Sequence, residues 1–227
     1  MAYTNSPLVN YTKLSPNHSG QRTHSIDRIT PHCVVGQCTA ETLGDIFYPS
    51  SRQASSNYGI DKSGRVGMYV EEKNRSWCSS SNANDQRAVT IECASDTTEP
   101  YAMNDAVYST LIKLCTDICK RNGKKKLLWF ADKDKSLNYV PAADEMVITV
   151  HRWFANKSCP GTWLYSRLGD LAAKVTAALA EPAQAKVEPK KYYRVQIGAF
   201  TVKSNADAML KKAQAAGFKD AFIKYGE

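Results

Sequence analysis

The residues best suited to chemistry lie in one short stretch, His151-Arg-Trp-Phe-Ala-Asn-Lys-Ser-Cys159-Pro-Gly161. Imidazole nitrogen and thiolate sulfur are ligands that zinc prefers in proteins. The Cys-Pro-Gly sequence predicts a sharp turn, and such a turn would bring the cysteine back towards the histidine. The stretch therefore indicates two ligands of a zinc site.

His32 is the best candidate for a third ligand. It lies in Arg28-Ile-Thr-Pro-His-Cys-Val-Val-Gly36, which is typical of a buried strand that ends at a glycine. Two histidines and one thiolate would leave the fourth tetrahedral position open to water, as catalytic zinc requires, whereas a structural zinc site needs a fourth protein ligand. His18 and His24 fall in a polar N-terminal arm that offers no rigid support for a ligand, so we expect them to be surface histidines.

Strands that alternate with helices must position these ligands. We predict strands at 29–35, 88–94 and 127–130, a hairpin formed by 56–61 and 65–70, and helices over 39–48, 104–122 and 164–179. Thr39 and Asn104 are the expected N-caps of the first two helices. Residues 1–25 are predicted to be an irregular arm, and residues 131–146 a polar loop on the rim of the site. The alternation favours the α/β class, with helices on both faces of a central sheet.

A change of composition separates the last part of the chain from the rest. Residues 181–190 contain two prolines and several charges, which is typical of a semi-extended linker. We therefore predict one domain at 1–180 and a small βαβ-like module at 191–227, with a helix over 205–216 between strands at 192–200 and 221–225. About 37 residues are too few to bury a stable core alone, so the module pairs with a second copy, packs on the first domain or is a remnant.

Composition excludes several functional classes. The 227 residues are 43% hydrophobic, which suits a soluble globular protein, and no apolar run is long enough for membrane insertion. The net charge of +8 comes without a basic run interleaved with aromatic residues, so we expect no nucleic-acid partner, and a cationic surface would instead favour an anionic cell envelope. Seven cysteines without a Cys-x-x-Cys pair indicate free thiols made in a reducing cytosol. The N-terminus lacks the pattern of a secretory signal.

The order of His32, His151, Lys157 and Cys159 resembles the zinc-dependent N-acetylmuramoyl-L-alanine amidases, the type 2 group that includes phage endolysins, prophage autolysins and peptidoglycan recognition proteins. The resemblance implies a mixed central sheet flanked by helices and a zinc cofactor. It also implies that zinc-activated water hydrolyses the amide bond between the lactyl group of N-acetylmuramic acid and L-alanine in peptidoglycan. Such an enzyme would be made in the cytoplasm and would reach the cell wall after holin-type release or lysis.

The resemblance further implies roles for two residues near the ligands. Lys157 would stabilise the developing oxyanion, and Glu92 in the sequence Val-Thr-Ile-Glu-Cys would be the general base, as a glutamate is in some relatives. Other relatives use a tyrosine, but Ser56 occupies that position here and cannot act as a base. Two alternatives stay open for Glu92: an outward-facing strand residue, or a partner of a zinc-bound histidine.

Four residues are the expected substrate contacts. Asn57 lies in the first strand of the predicted hairpin, and Trp77, Asn82 and Asn84 lie between the hairpin and the strand at 88–94. Many relatives carry Trp-His where this chain has Trp77-Cys78. Asn82 and Asn84 are the polar groups that could replace the histidine, and the alternative that they are ordinary loop asparagines stays open.

The C-terminal module carries a resemblance of its own. The sequence Arg-Val-Gln-Ile-Gly-Ala-Phe at 194–200 is similar to the opening of a sporulation-related repeat, a peptidoglycan-binding unit, and its half length favours a homodimer. The alternative to an enzyme is a non-catalytic peptidoglycan-binding recognition protein. Such proteins typically lack the cysteine ligand, so the presence of Cys159 favours an enzyme.

Overall fold

The computed structural model describes residues 3–180 and 196–225. The chain divides into two compact units, Met1–Pro182 and Ala183–Glu227. The strands of the larger unit are β1 Val9–Thr12, β2 His18–Gln21, β3 Arg28–Cys33, β4 Tyr58–Ile60, β5 Val66–Met68, β6 Asn74–Ser76, β7 Ala88–Cys93, β8 Lys126–Leu128 and β9 Glu145–Ile148. Its α-helices are α1 Ala40–Phe47, α2 Asn82–Arg87, α3 Asp105–Arg121, α4 Lys133–Asn138, α5 Gly161–Tyr165 and α6 Leu168–Ala180.

A seven-stranded mixed sheet forms the centre of the larger unit, in the order β1-β5-β4-β7-β3-β9-β8. Neighbouring strands from β4 to β8 run parallel, and β5 is antiparallel to β4. The short strands β2 and β6 form a separate antiparallel pair. The predicted α/β class, a mixed central sheet with flanking helices, is confirmed.

The two central strands, β3 and β7, each have one apolar and one polar face. Ile29 and Ile91 lie in the main core, which they share with the buried sides of α3 and α6. Thr30 follows Ile29 and Thr90 precedes Ile91, and these two threonines hydrogen-bond to other polar side chains instead. For example, Thr30 Oγ1 lies 2.8 Å from Thr149 Oγ1. Because side chains alternate along a strand, the residues two positions further on also belong to the polar face.

Helix α3 follows the sequence prediction closely. Asn104 Oδ1 accepts a hydrogen bond from the Val107 N–H at 3.0 Å, as an N-cap does. Gly123 follows the helix with φ +68°, in the left-handed region that closes many helices. Thr39 caps α1 in the predicted way, because its side chain accepts a hydrogen bond from the Thr42 N–H.

Three local predictions were wrong. The N-terminal arm contains β1, which pairs with β5, and β2, which pairs with β6, and each pairing includes a register shift. The predicted polar loop at 131–146 contains α4, whose N-cap is Asp132. The predicted helix over 164–179 is two helices, because α5 closes where the Arg167 N–H bonds the Leu164 carbonyl in a tighter turn.

The described part of the smaller unit, residues 196–225, contains one helix, α7 at Lys203–Ala215, as predicted for 205–216. The predicted strands are not formed where the structure describes them, since 196–200 and 221–225 have no strand pairing. The remaining part of the first strand, 192–195, and the linker at 181–190 lie outside the described residues. None of the helices in the described parts of the chain has both the length and the apolarity that a membrane crossing needs.

Candidate active site

Three adjacent strands bring the predicted chemical residues to one edge of the sheet. His32 on β3 is in register with Glu92 on β7, so both side chains belong to the polar face. Strand β9 runs parallel on the other side of β3 and is followed by a 3-10 turn at His151–Trp153. In open α/β sheets, ligands bind outside the carboxyl ends of parallel strands, and these residues lie at that edge.

The three predicted metal ligands come together at this edge. His32 Nδ1 lies 3.2 Å from Cys159 Sγ, and the rings of His32 and His151 are 5.1 Å apart between centroids. Their ligand atoms all lie within 4.8 Å of one another. Zinc bonds of about 2.0–2.3 Å in a tetrahedron separate ligand atoms by about 3.3–3.7 Å, so the set needs only a small contraction to fit zinc.

The turn that returns Cys159 to the histidines is closed by the backbone. The Arg152 N–H donates to the Cys159 carbonyl at 3.1 Å, and the Gly161 N–H donates to the Ser158 carbonyl at 2.8 Å. Gly161 has φ +81°, and a Cβ there would lie 2.7 Å from the Pro100 carbonyl oxygen. The Cys-Pro-Gly sequence therefore makes the predicted corner, with glycine at the position that needs it.

The protonation of the ligands suits a metal. Burial lowers the pKa of His32 to about 3, with a smaller effect from His151, and burial followed by the charge of Lys157 lowers the pKa of His151. Both imidazoles are therefore neutral near pH 7, which is the form that binds zinc. A hydrogen bond with Cys33 and burial raise the pKa of Cys159 well above its usual value, so a metal must displace its proton.

Glu92 lies directly beside this set of ligands. Its Oε1 is 3.9 Å from His32 Nδ1, and its Oε2 is buried with no hydrogen-bond partner among the described residues. Burial raises the pKa of Glu92 to about 7, against smaller lowering effects of Cys78 and Arg52. The side chain is only 15% exposed, so it does not point outward into solvent. A base, or a partner of His32, are the two roles that this position supports.

Lys157 is exposed in the turn between His151 and Cys159. Its positive charge contributes to the lowered pKa of His151, after the larger effect of burial. Lys157 therefore stays a predicted oxyanion partner.

Two of the four expected substrate contacts are corrected by the structure. Asn57 and Asn84 are 0% and 1% exposed, and their amides are used inside the protein. Asn57 Oδ1 accepts from the Thr90 N–H at 3.2 Å, and Asn84 Oδ1 accepts from Thr149 Oγ1 at 2.9 Å. Both asparagines support the polar face of the sheet, where substrate cannot reach them.

Trp77 and Asn82 lie nearer to solvent. Trp77 is half-buried, and its indole N–H donates to Ser19 Oγ at 2.7 Å. Asn82 is exposed at the start of α2 and accepts a hydrogen bond from Arg75. Trp77 and Asn82 therefore remain predicted substrate contacts.

Sequence reasoning missed two residues that contact the candidate ligands. Cys78 Sγ lies 3.4 Å from His32 Nε2, and Ser80 Oγ lies 2.9 Å from His151 Nε2. The only signal in the sequence was the Trp77-Cys78 pair, where relatives carry Trp-His. At this position, the chain has a thiol where the resemblance to the family leads us to expect an imidazole.

Cys78 does not complete a four-ligand structural zinc site. Its sulfur contacts Nε2 of His32, whereas Cys159 contacts Nδ1 of the same ring. Two separate sets of potential ligand atoms lie close together. Cys78 belongs to the set with His32 and Glu92, and Cys159 belongs to the set with His32 and His151. A metal held by His32, His151 and Cys159 would have three protein ligands among the described residues and a fourth position for water, as a catalytic zinc site requires.

Two family models match this chain. The family model for N-acetylmuramoyl-L-alanine amidase matches residues 21–162, and the model for the SPOR domain matches residues 168–227. The SPOR match begins at α6, whose Leu168, Leu171 and Val175 lie in the core of the larger unit. No match was found among curated proteins.

Several solved structures have the same fold as this chain. A mutant endolysin from Bacillus subtilis matches with a TM-score of 0.53 at 13% identity, over 74% of this chain and 99% of that one. A selenomethionine derivative of AmpD matches with a TM-score of 0.52 at 17% identity, over 76% and 99%. The catalytic domain of XlyA matches with a TM-score of 0.50 at 11% identity, over 73% and 97%. At these sequence identities, the similarity shows a shared fold and nothing more specific.

Proposed function

The chain belongs to the N-acetylmuramoyl-L-alanine amidase family, and from that membership we propose that His32, His151 and Cys159 hold a catalytic zinc ion. The protein is a peptidoglycan amidase, and the bond cleaved joins the lactyl group of N-acetylmuramic acid to L-alanine. The convergence of the three ligand atoms within 4.8 Å is the observation that carries the proposal, because it gives zinc three protein ligands and an open position.

Side chains of this protein would carry out the proton transfer and stabilise the developing charge. Bound zinc supplies the lowered pKa of the attacking water and the polarisation of the carbonyl. Glu92 accepts the proton of that water and returns it to the amine of L-alanine as the C–N bond breaks, for which a pKa of about 7 is well placed. Lys157 compensates the negative charge that develops on the carbonyl oxygen.

The function is tested by digestion of purified muropeptides, with the products identified by mass spectrometry. We expect two products, a saccharide that ends in a free lactyl carboxylate and a peptide with a free L-alanine amine, which together have gained one water. A chelator should stop the reaction, and added zinc should restore it. Cleavage of a glycosidic bond or within the peptide, or full activity in chelator, would contradict the proposal.

A non-catalytic recognition protein is the second candidate. The same digestion separates the two, because a recognition protein binds muropeptides and releases no product. Cys159 at 3.2 Å from His32 Nδ1 favours the enzyme, since the thiolate completes the three-ligand set.

The smaller unit is proposed to bind peptidoglycan and to pair with a second copy of itself. Support comes from the SPOR match and from its exposed apolar side chains: Ile197, Phe218 and Phe222 are 58%, 64% and 66% exposed. Apolar patches of this kind mark interaction surfaces, and segments able to form strands pair readily with a neighbouring chain. A symmetric homodimer would then give one particle two wall contacts and thus avidity for the cell wall.

Truncation after Ala180 tests this pairing. We expect the full chain to scatter light as a dimer and the truncated chain as a monomer that still cleaves soluble muropeptides but pellets less with cell walls. Phe222→Ser in the full chain serves as a control with a minimal change, and it should weaken dimerisation. A full chain that is monomeric, and that pellets no better than the truncated chain, would exclude both pairing and wall binding.

A further inference from the structure

We propose that Cys78 and Ser80 are positioning residues that hold the two candidate zinc histidines by their Nε2 atoms and thereby direct both Nδ1 atoms to the metal. We call residues 78–80 the histidine clasp. The inference rests on the proposed zinc centre, and it assigns a role to two residues that the sequence analysis did not identify.

Cys78 and Cys159 contact opposite nitrogens of one imidazole. Cys78 Sγ is 3.4 Å from Nε2 of His32, and Cys159 Sγ is 3.2 Å from Nδ1. Cys78 Sγ lies 3.8 Å from Glu92 Oε1, so the thiol can donate its hydrogen to the carboxylate and use a sulfur lone pair to accept a hydrogen bond from Nε2–H of His32. With the hydrogen on Nε2, the lone pair lies on Nδ1 and faces Cys159, where the metal is proposed.

Ser80 contacts His151 at the same ring nitrogen, Nε2, at which Cys78 contacts His32. Its Oγ lies 2.9 Å from Nε2 of His151, so the hydroxyl oxygen can accept the Nε2–H and leave Nδ1 free for a metal. Ser80 has φ +62°, in the left-handed region that residues other than glycine seldom adopt. Such a conformation persists only where its surroundings enforce it, and it is concentrated at functional sites.

Buried polar groups fix the clasp to the rest of the protein. The carboxylate of Asp85, 2% exposed, accepts the Cys78 N–H at 3.1 Å and the Ser79 N–H at 3.2 Å. Asn84 Nδ2 donates to Ser79 Oγ at 3.1 Å, and Ser81 is the N-cap of α2. The two side chains that reach the histidines therefore start from a backbone that is held in place, as precise orientation of metal ligands requires.

The same contacts connect a metal ligand to the proposed base. The path runs from His32 Nε2 through Cys78 Sγ to Glu92 Oε1. Loss of the Cys78 thiol should therefore weaken zinc binding, because Nε2 of His32 loses the partner that orients the ring. A residue that serves only packing would leave the zinc affinity unchanged.

The test is the zinc affinity of the full chain, measured by competition with a chelator. We expect Cys78→Ala and Ser80→Ala each to weaken zinc binding by about 10–100-fold, the usual effect of removing a partner of a metal-bound histidine. Cys78→Ser keeps a donor and an acceptor and should restore most of the affinity. Cys115→Ala is the matched control, because it removes a buried thiol from α3 and should leave zinc affinity unchanged.

Cobalt in place of zinc adds a spectroscopic test. The wild type should show the charge-transfer absorption of one thiolate ligand, and Cys78→Ala should keep that intensity while its ligand-field bands shift. Intensity for two thiolates in the wild type would make Cys78 a ligand and overturn the inference.

Three results bear on the clasp as a whole. Wild-type zinc affinity in folded Cys78→Ala and Ser80→Ala would overturn it while leaving the proposed function intact. If Cys78→Ala does not fold, Ser80→Ala decides the question, since this exposed serine can be replaced without a change in the core. A wild type that binds no zinc would refute the proposed function and the clasp together.

Discussion

Cys159→Ser is expected to lose both the zinc ion and the hydrolase activity. A hydroxyl is a much poorer zinc ligand than a thiolate, and it would leave only His32 and His151 on the metal. Loss of a residue that merely supports a metal ligand costs about 10–100-fold, so removal of a ligand should exceed about 100-fold in turnover. The measurement is zinc per chain after dialysis, together with the rate of muropeptide cleavage.

Cys38→Ser is the matched control for this substitution. Cys38 is a half-buried free thiol on the same domain, outside the group of ligand atoms, so its replacement should leave zinc content and turnover at wild-type values. Full zinc occupancy with normal turnover in Cys159→Ser would remove Cys159 from the ligand set.

Glu92→Gln should keep zinc and lose turnover by about 10²–10⁴-fold, the usual contribution of a general base. The amide is nearly isosteric with the carboxylate but cannot accept a proton. In the wild type, the rate should fall as the pH drops below about 7, because the pKa of Glu92 is raised to about 7 by burial and the base must be ionised. That limb of the pH profile should be absent in Glu92→Gln.

Stability of the metal-free protein gives an independent check on the same residue. A carboxyl group whose pKa is raised on folding destabilises the folded state above the pKa of the unfolded chain, near 4.5, and the penalty is complete above about 7. Metal-free Glu92→Gln should therefore unfold at higher urea concentration than the wild type at pH 8, with little difference at pH 4. Near-normal turnover in this variant would exclude Glu92 as the base and favour a role beside His32.

The proximity of the candidate ligands could be predicted because His32 and Cys159 each carry a local signal in the sequence. Cys159 precedes Pro-Gly, which makes a turn whatever surrounds it, and His32 ends an apolar strand that is buried in any α/β arrangement. The register of His32 with Glu92 places two polar side chains of apolar strands on one face. Local chemistry and alternation were sufficient for these residues.

The supporting residues could not be predicted because their partners are distant in the sequence. Asn57 and Asn84 resemble ordinary loop asparagines until Thr90 and Thr149 are brought against them by the sheet. The contact of Cys78 with His32 likewise depends on the packing of α2 and β6 over the polar face. Burial of a polar side chain is decided by such long-range pairing and leaves no periodic signal.

The short N-terminal strands were missed for a related reason. Strands β1 and β2 have four residues each, too few to show alternation, and their partners β5 and β6 lie more than fifty residues away along the chain. Edge strands of this kind are defined by the sheet that they join. The same limit applies to 196–200 and 221–225, where a strand-like sequence has no pairing partner in the part of the smaller unit that the structure describes.

X-ray absorption at the zinc edge of the purified full chain tests the central claim most directly. The proposed centre predicts one zinc with two nitrogen ligands at about 2.0–2.1 Å, one sulfur at about 2.3 Å and one further light atom, and the sulfur contribution should disappear in any zinc that Cys159→Ser retains. Two sulfur ligands, a coordination sphere without sulfur, or no bound zinc in the wild type would contradict it.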